Sequence, residues 1–490
     1  MIGILILIGL EFLLAAALYL GTGRHGPKTI VCLLAATAPL EVYRTTIAEM
    51  NVSLFRLSVA VAVMTFVLGG GSPSLRSWLS SPRRRVPLWR TPGSAIVISY
   101  VVLATLVLAS IALNPASPFL GLRLAASIVI GVVVIVMLVA FARDLSTEQL
   151  LAIVATTAAL PILAGCWQLI AFSRGWDPAL PLLNQLPLAE GLEKSRDSAQ
   201  LLGATGIRAR ATFGDSNHYG AYLICIVALA AGSFVVALLR RDSRGAVCGG
   251  ALAAASCCAI VATYSRSAWL GCGAALVLAL ALSVPTLRTR VPRRVLLVGA
   301  ASVVVMAIGV APLTPTIRER FDSAASTTET SNRSHVESVE FASRTFGSNP
   351  LFGIGIGGIG QRLDQGPRTS GAHSSYLTTA AELGLPGLLA LLFAGGAVLL
   401  VFLRYYKRTR GSSESAVALG LLAGYSGLLA ANLVYDLWWD DFHWILVSLA
   451  VLVASRSGHA TAAVYPAAPG SSDRPLSDER RDQTTAASAC

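Results

Sequence analysis

Three polar elements interrupt a sequence that is otherwise dominated by apolar residues. The first is GIRARATFGDSNHYGAYL, residues 206–223, with Arg208, Arg210, Asn217 and His218. The second is TYSRSAWLG, residues 263–271, with Arg266 between two apolar runs. The third is GAHSSYLTTAAELGLPGLLALLF, residues 371–393. There His373 precedes a predicted helix, Ser374 or Ser375 is placed to cap it, and Glu382 follows nine residues after the histidine. Guanidinium groups hold phosphate oxygens through paired N–H donors and stay charged. An imidazole titrating near neutrality takes a proton from an attacking hydroxyl. Together these residue types suit displacement at a centre whose leaving group gathers negative charge. Each element also has a plainer reading. A lone loop histidine is more often a surface residue than a catalyst, and Arg266 could simply snorkel to lipid headgroups. Arg208 and Arg210 could attract anionic lipid without specificity. Glu382 could lie on a helix surface, although an acid this near a membrane usually has a partner.

The elements that must position these residues follow from composition. Of 490 residues, 54% are hydrophobic and only 13% charged, where a soluble chain carries about 25% charged residues. Apolar runs near twenty residues recur from end to end, each long enough to cross a hydrocarbon core about 30 Å thick. With no water in that core, such runs satisfy their backbone as helices. The expected fold class is an all-α polytopic membrane protein with about 12–13 transmembrane helices. Spans are predicted near residues 2–20, 29–43, 52–70, 95–113, 120–141, 149–172, 214–239, 246–264, 267–284, 295–313, 377–403, 415–435 and 438–455. This divides the chain into a helical region 1–313 with an outer loop at about 173–213, a large outer loop 314–376, helices over 377–455 and a disordered tail 456–490.

The net charge of +12 would suggest nucleic acid in a soluble protein; here the question is which loops carry it, and no nucleic-acid partner is expected. Basic residues fall on alternate loops, in 24–28, 76–90, Arg143, 240–244, 288–294 and 404–410, while the opposite short loops hold little beyond Arg44 and Arg266. About nineteen against two is a strong positive-inside bias. It puts the amino terminus outside, the carboxyl terminus in the cytoplasm, and all three polar elements outside a cytoplasmic (inner) membrane. The opening MIGILILIGLEFLLAAALYL lacks a basic start and a cleavage site and reads as a retained span. Of the eight cysteines, all but Cys490 lie in or beside apolar runs, without C-x-x-C spacing. They read as small core residues.

The run NPLFGIGIGGIG, residues 349–360, contains G-x-G-x-x-G at Gly353/Gly355/Gly358 and again at Gly355/Gly357/Gly360. That pattern marks a dinucleotide site only between a strand and a helix of a βαβ unit. An outer loop entering a membrane span offers neither the unit nor a nucleotide pool. Glycines at this density instead permit tight turns, whose exposed N–H groups can hold an anion.

Outside the cytoplasmic membrane an activated donor has to arrive on a lipid, and a polyprenyl-diphosphate-linked sugar carries its activation in the sugar–phosphate bond. Arginines can stabilise the departing diphosphate; no D-x-D lies near these elements, Asp440–Asp441 being on another outer loop. A transporter or flippase for polysaccharide precursors is the competing expectation. Such proteins keep their charges at mid-membrane, where Glu11, Glu41, Arg56 and Arg123 are scattered without an evident pairing scheme. A non-catalytic component of a glycan-assembly machine is a third.

At this point the residues resemble a known family. NPLFGIGIGG followed by AHSSYLTTAAELGLPGLL looks like the signature of the O-antigen ligase and Wzy-type polymerase superfamily, NPL-x-G-x-G-x-G followed by HN-x-x-L-x-x-x-x-E-x-G-x-x-G. RARATFGDSN is similar to its R-x-x-G-T-F-x-N-P-N element and TYSRSAWLG to its S-R-G element; the match spans about residues 200 to 395, in order. The resemblance implies a GT-C-like glycosyltransferase that moves a glycan from undecaprenyl diphosphate to a glycan, lipid or cell-wall acceptor, without metal or cofactor. It implies that His373 and Glu382 are the catalytic residues, His373 activating the acceptor hydroxyl and Glu382 being the motif glutamate. Arg208 and Arg266 match the diphosphate-binding arginines, with Arg210 beside them and Asn217 and Ser374 in support. Arg333, in SNRSHVESVEF, falls where many members carry an arginine on an external amphipathic helix. The usual Asn after the histidine is Ser374, and the usual Gly and Pro of the upstream element are Ala211 and Ser216. These departures bear on subfamily and substrate more than on reaction type; ligase and polymerase share the motifs.

Overall fold

The computed structural model describes residues 26–40, 44–47, 50–68, 92–113, 118–142, 145–174, 176, 201–202, 206–290, 330–359, 372–410, 412 and 414–462. Within them the chain is helical apart from two small antiparallel hairpins. In order come α1 (Gly26–Thr37), β1 (Arg44–Ile47), β2 (Met50–Ser53), α2 (Leu54–Leu68), α3 (Pro92–Leu113), α4 (Pro118–Ala142) and α5 (Thr147–Ser173). Then follow β3 (Leu201–Leu202), β4 (Gly206–Ile207), α6 (Ser216–Leu239), α7 (Ser243–Ala262) and α8 (Arg266–Arg290). The chain continues through α9 (Thr330–Ser348), α10 (Ser375–Thr409), α11 (Glu414–Ala431) and α12 (Asp441–Ala462). Arg44 pairs with Ser53 across β1–β2, and Leu201 with Ile207 across β3–β4.

Seven of these helices, α3 to α7, α10 and α11, are long and apolar enough to cross a membrane. The protein is thus an all-α polytopic membrane protein. The expected spans at 2–20 and 295–313 lie outside the described residues. Those expected at 29–43, 52–70 and 267–284 fall on shorter apolar stretches, Lys28–Thr37, Leu54–Val67 and Arg266–Leu282. Burial follows the solvent. Val101, Leu108, Val129, Leu163, Val277 and Phe393 face outward, while Tyr100, Tyr219, Tyr425, Trp438 and Trp444 are enclosed. Large apolar side chains on the outside are what a hydrocarbon surround permits. The cysteines do not all read as core: Cys225 is buried, whereas Cys166 and Cys248 face outward. A cysteine's apolar neighbourhood in sequence does not distinguish the interior from a lipid-facing stripe.

Helices α7 and α11 both pack on α6, α8 lies along α11, α10 lies between α3 and α11, and α12 runs beside α4 and α3. Small residues allow close approach: a Cβ on Gly271 of α8 would stand 2.5 Å from the Gly427 carbonyl oxygen of α11, and the reverse holds at the same distance. Contact between backbones replaces the hydrophobic drive that lipid cannot supply. Buried polar links cross the bundle, among them one between the Tyr100 hydroxyl and His443 Nε2 at 2.8 Å and one from the Tyr219 hydroxyl to the Pro161 carbonyl at 3.2 Å. Following the chain through alternating helices puts Arg240, Arg241, Lys407 and Arg408 at one end of the bundle. Arg208, Arg210, Arg266 and His373 are at the other.

Two devices shape that second end. Gln168 of α5 accepts the backbone N–H groups of Arg210 (3.1 Å) and Ala211 (2.8 Å), and its amide donates back to the Ala211 carbonyl at 3.1 Å. One buried side chain therefore holds the turn that follows Arg208. In the glycine run, Ile354 N–H donates to Ala381 O (2.9 Å), Gly355 N–H to Glu382 O (3.1 Å) and Leu385 N–H to Pro350 O (2.7 Å). The run lies along a break in α10, where Gly384 has φ +70°. Gly353, itself at φ +63°, is so close that a Cβ would stand 2.4 Å from the Glu382 carbonyl. The break frees backbone groups of α10, and the glycine run satisfies them.

Gly353→Ala is expected to destabilise the protein by about 2–4 kcal/mol, combining left-handed strain with overpacking against backbone; thermal unfolding in detergent reads this as a lowered midpoint. Gln168→Leu fills similar volume but leaves the two N–H groups and one carbonyl unsatisfied. Its cost is expected at about 1–3 kcal/mol for each group stranded away from water, read in the same assay.

Candidate active site

The site grows from three turns, each carrying a residue other than glycine in the left-handed region. Ala211 has φ +51°, Tyr264 +48° and His373 +51°. Such a conformation costs an L-residue about 1–2 kcal/mol, and strain of this kind collects where side chains must be aimed. Ala211 stands where the resembled element usually has glycine, and its φ shows why.

The first two turns are knitted together. Ala209 N–H donates to Ala262 O at 3.0 Å. Arg208 Nε donates to Thr263 O (3.0 Å) and an Arg208 Nη to Asn217 Oδ1 (3.3 Å). The same Asn217 oxygen accepts from the Ser265 hydroxyl at 2.7 Å. Asp215 caps α6, accepting the Asn217 N–H at 2.6 Å. Arg266 opens α8 directly after Ser265, so Arg208 and Arg266 flank one junction centred on Asn217. Thr212 Oγ1 donates to Pro39 O (2.6 Å), fastening the junction to the end of α1.

The third turn carries the histidine. Ser374 is the N-cap of α10 and accepts from Leu377 N–H, the role open to it or to Ser375 on sequence. Ser375 instead reaches the loop between α11 and α12. Its hydroxyl lies 2.5 Å from Asn432 Oδ1 and 2.7 Å from Asp436 Oδ1, and it accepts from Leu437 N–H at 3.2 Å. That loop brings in Tyr435 and Asp440. His218 Nδ1 is 2.9 Å from Asp440 Oδ1. The Tyr435 ring stands 5.9 Å from His218 and 6.0 Å from His373, and His335 of α9 lies over His373 at 3.8 Å.

Electrostatics join the halves. Burial lowers the pKa of His373 below the ordinary imidazole value, and the Asp215 carboxylate opposes it by raising it. The imidazole is therefore neutral at neutral pH, the form that accepts a proton. Burial pushes the Tyr435 phenol up to about 12, with Asp215 acting in the same direction and His218, a hydrogen bond with Asn217, and Arg208 acting against it. The phenol stays protonated and available as a donor. Burial likewise raises Asp436, opposed by its bond with Ser375.

The structure thus gathers Arg208, Asn217, His218 and His373 around Tyr435 and Asp215, with Ser374 beside the histidine and Arg266 on the adjoining turn. Arg210 is only 7% exposed; burial lowers its pKa while Asp215 raises it. Arg333 falls in the first turn of α9, and its side chain lies outside the described residues. Glu382 sits apart, about 10 Å along α10 from its start at 1.5 Å rise per residue. Its buried carboxyl accepts the backbone N–H groups of Gly357 and Ile359, so the group held by the glycine run is the protein's own side chain. Among the described residues no group of three or more His, Cys, Asp or Glu is placed as a metal site. Sequence reasoning did not single out Gln168, Asp215, His335, Tyr435 or Asp436. The available signals were a histidine two residues beyond Arg333 and a polar stretch, NLVYDLWWDD, between two apolar runs.

Residues 250–392 match the family model described as O-antigen ligase. That segment contains the Arg266 turn, the glycine run, His373 and Glu382, and it ends before the loop that carries Tyr435. No curated protein matches the chain. The chain is a multi-pass membrane protein that carries, over residues 250–392, the domain of the O-antigen ligase family, the superfamily its motifs resemble.

Proposed function

We propose that this protein is a glycosyltransferase of surface polysaccharide synthesis, acting as ligase or polymerase. It moves a glycan from a polyprenyl (undecaprenyl) diphosphate to an acceptor hydroxyl on the extracytoplasmic face of the cytoplasmic membrane. The observation that carries this reading is the convergence of Arg208 and His373 around Tyr435 and Asp215 at one end of an apolar bundle. Arg240, Arg241, Lys407 and Arg408 lie at the other end, and a positive-inside arrangement turns the site outward. A donor there has to come with its own lipid and its own activation.

In this reading the acceptor hydroxyl attacks the anomeric carbon of the donor sugar. Its proton passes to the neutral His373 imidazole as the new carbon–oxygen bond forms. The bond from that carbon to the diphosphate oxygen breaks, and its electron pair leaves on the polyprenyl diphosphate. Arg208 and Arg266, with Arg210 and Arg333 as further cations, hold that growing charge by charge-assisted hydrogen bonds, the role a metal ion fills elsewhere. Asn217 and Ser374 act through orientation, the one on Arg208 and the other on the histidine turn. Glu382 acts at a distance by holding the glycine run in place.

His373→Ala is expected to lower transfer of glycan by about 10²- to 10⁴-fold, the usual worth of a general base. Arg266→Ala or Arg208→Ala should lower it by about 10²- to 10³-fold, with each protein still inserted in the membrane. Undiminished transfer by the purified His373 variant with its lipid-linked donor overturns the reading. The pH profile gives a second check. The base works in its neutral form, so activity falls as pH drops through the His373 pKa. Asp215→Asn removes the charge that raises this pKa while keeping an N-cap acceptor. The acid limb of the rate profile is therefore expected to move to lower pH; an upward move, or none, removes His373 as the titrating base.

A further inference from the structure

The external helix α9 touches the site at a point the family signature does not include. Its docked face is a single stripe: Ser338 and Ala342 are wholly enclosed and Thr345 nearly so. Ala342 packs in a small apolar cluster with Ile354 and Ile359 of the glycine run, Ala372 next to the histidine, and Ala381 about two turns into α10. Spacings of three and four residues put one helix face in register, and His335 is the next position of this stripe toward the amino end. There the stripe stops packing on aliphatic carbon and meets the His373 ring instead. The two imidazoles lie 3.8 Å apart between centroids with planes 32° from parallel. The Tyr435 ring, from the loop between α11 and α12, is 6.0 Å from the same imidazole at 39°. His373 is itself in the left-handed region and directly precedes the α10 cap, so its own backbone fixes where the ring starts but not how it is rotated.

We infer that His335 is a positioning residue, which holds the His373 imidazole by ring stacking and thereby makes the aim of the base depend on docking of the external helix. This rests on His373 being the base of the proposed reaction, but the stack itself can be tested without turnover. The full-length protein in lipid nanodiscs is treated with diethyl pyrocarbonate, and the rate of modification at His373 is followed by mass spectrometry. His335→Ala is expected to speed that modification about two- to tenfold, the worth of one ring–ring contact, and His335→Phe to keep it near the native rate. In transfer assays His335→Ala is expected to lower kcat by a similar factor with KM for the lipid-linked donor unchanged, and His335→Phe to restore it. A native modification rate in His335→Ala, or a phenylalanine variant that behaves like the alanine one, overturns the inference. His373→Ala run in parallel separates the two readings. Normal transfer in that variant removes the base, while the modification rates still report on the stack.

Discussion

A chain that crosses hydrocarbon has to satisfy every backbone N–H and C=O within itself, so irregular backbone is confined to the ends of the bundle or to places where another segment completes it. That constraint decides where this protein can do chemistry. Both kinds of place occur here. The turns at Ala211, Tyr264 and His373 gather at one end, where Asp215 and Ser374 receive N–H groups that helices leave over and Gln168 receives those of the Arg210–Ala211 turn. The break in α10 at Gly384 lies deeper, and the glycine run closes it from outside by donating to the Ala381 and Glu382 carbonyls. The site is assembled from the leftovers of helix termination.

The glycine run shows how a motif can be read correctly in outline while its purpose lies elsewhere. Its spacing resembles a phosphate cradle, and its N–H groups do hold a carboxyl group, that of Glu382. Three of its glycines take positive φ, at 63°, 89° and 75° for Gly353, Gly355 and Gly357. The run and the glutamate are therefore one structural unit with two strands of contact, backbone to backbone and backbone to side chain. Since α9 ends at Ser348, immediately before this unit, the unit also fixes where α9 can lie. A carboxyl group two and a half turns below the histidine contributes to the site through that chain of supports.

How much of this was legible in the sequence follows from the range of the interactions involved. Apolar runs are local properties, and the predicted spans from 95 to 264 and from 377 to 435 fall on helices of the same register. The alternation of basic loops is also a property of the chain read in order. Boundaries failed where a short structure intervened. The run 29–43 ends as helix at Thr37, because the chain then turns into the hairpin Arg44–Ser53. The arginines and His373 stand out in the sequence because they sit in dense polar elements. Tyr435, Asp436 and His335 do not, since each matters only through a partner far along the chain. Ser375 and Asp436, for instance, are 61 residues apart and bonded at 2.7 Å. Nothing in either local context announces the other.

The partners of Arg208 bear on what such a site can accept. Its Nε and one Nη donate to the Thr263 carbonyl and to Asn217 Oδ1, both neutral acceptors. Bonds of that kind orient a guanidinium without cancelling its charge, whereas a carboxylate in the same position would hold it as a closed ion pair. The nearby carboxylate, Asp215, spends one oxygen on the α6 N-terminus at 2.6 Å and acts on Arg210, His373 and Tyr435 through its charge. The arrangement thus separates two requirements that conflict. In the proposed reaction, cations have to stay attractive to an anionic headgroup, and an imidazole has to stay basic enough to accept a proton despite its burial. One carboxylate, fixed by a helix end, raises the basicity of the imidazole, while amide and carbonyl oxygens aim the arginine. Asn217 at that position aims Arg208 through a neutral oxygen, while the charge of Asp215 acts on the imidazole.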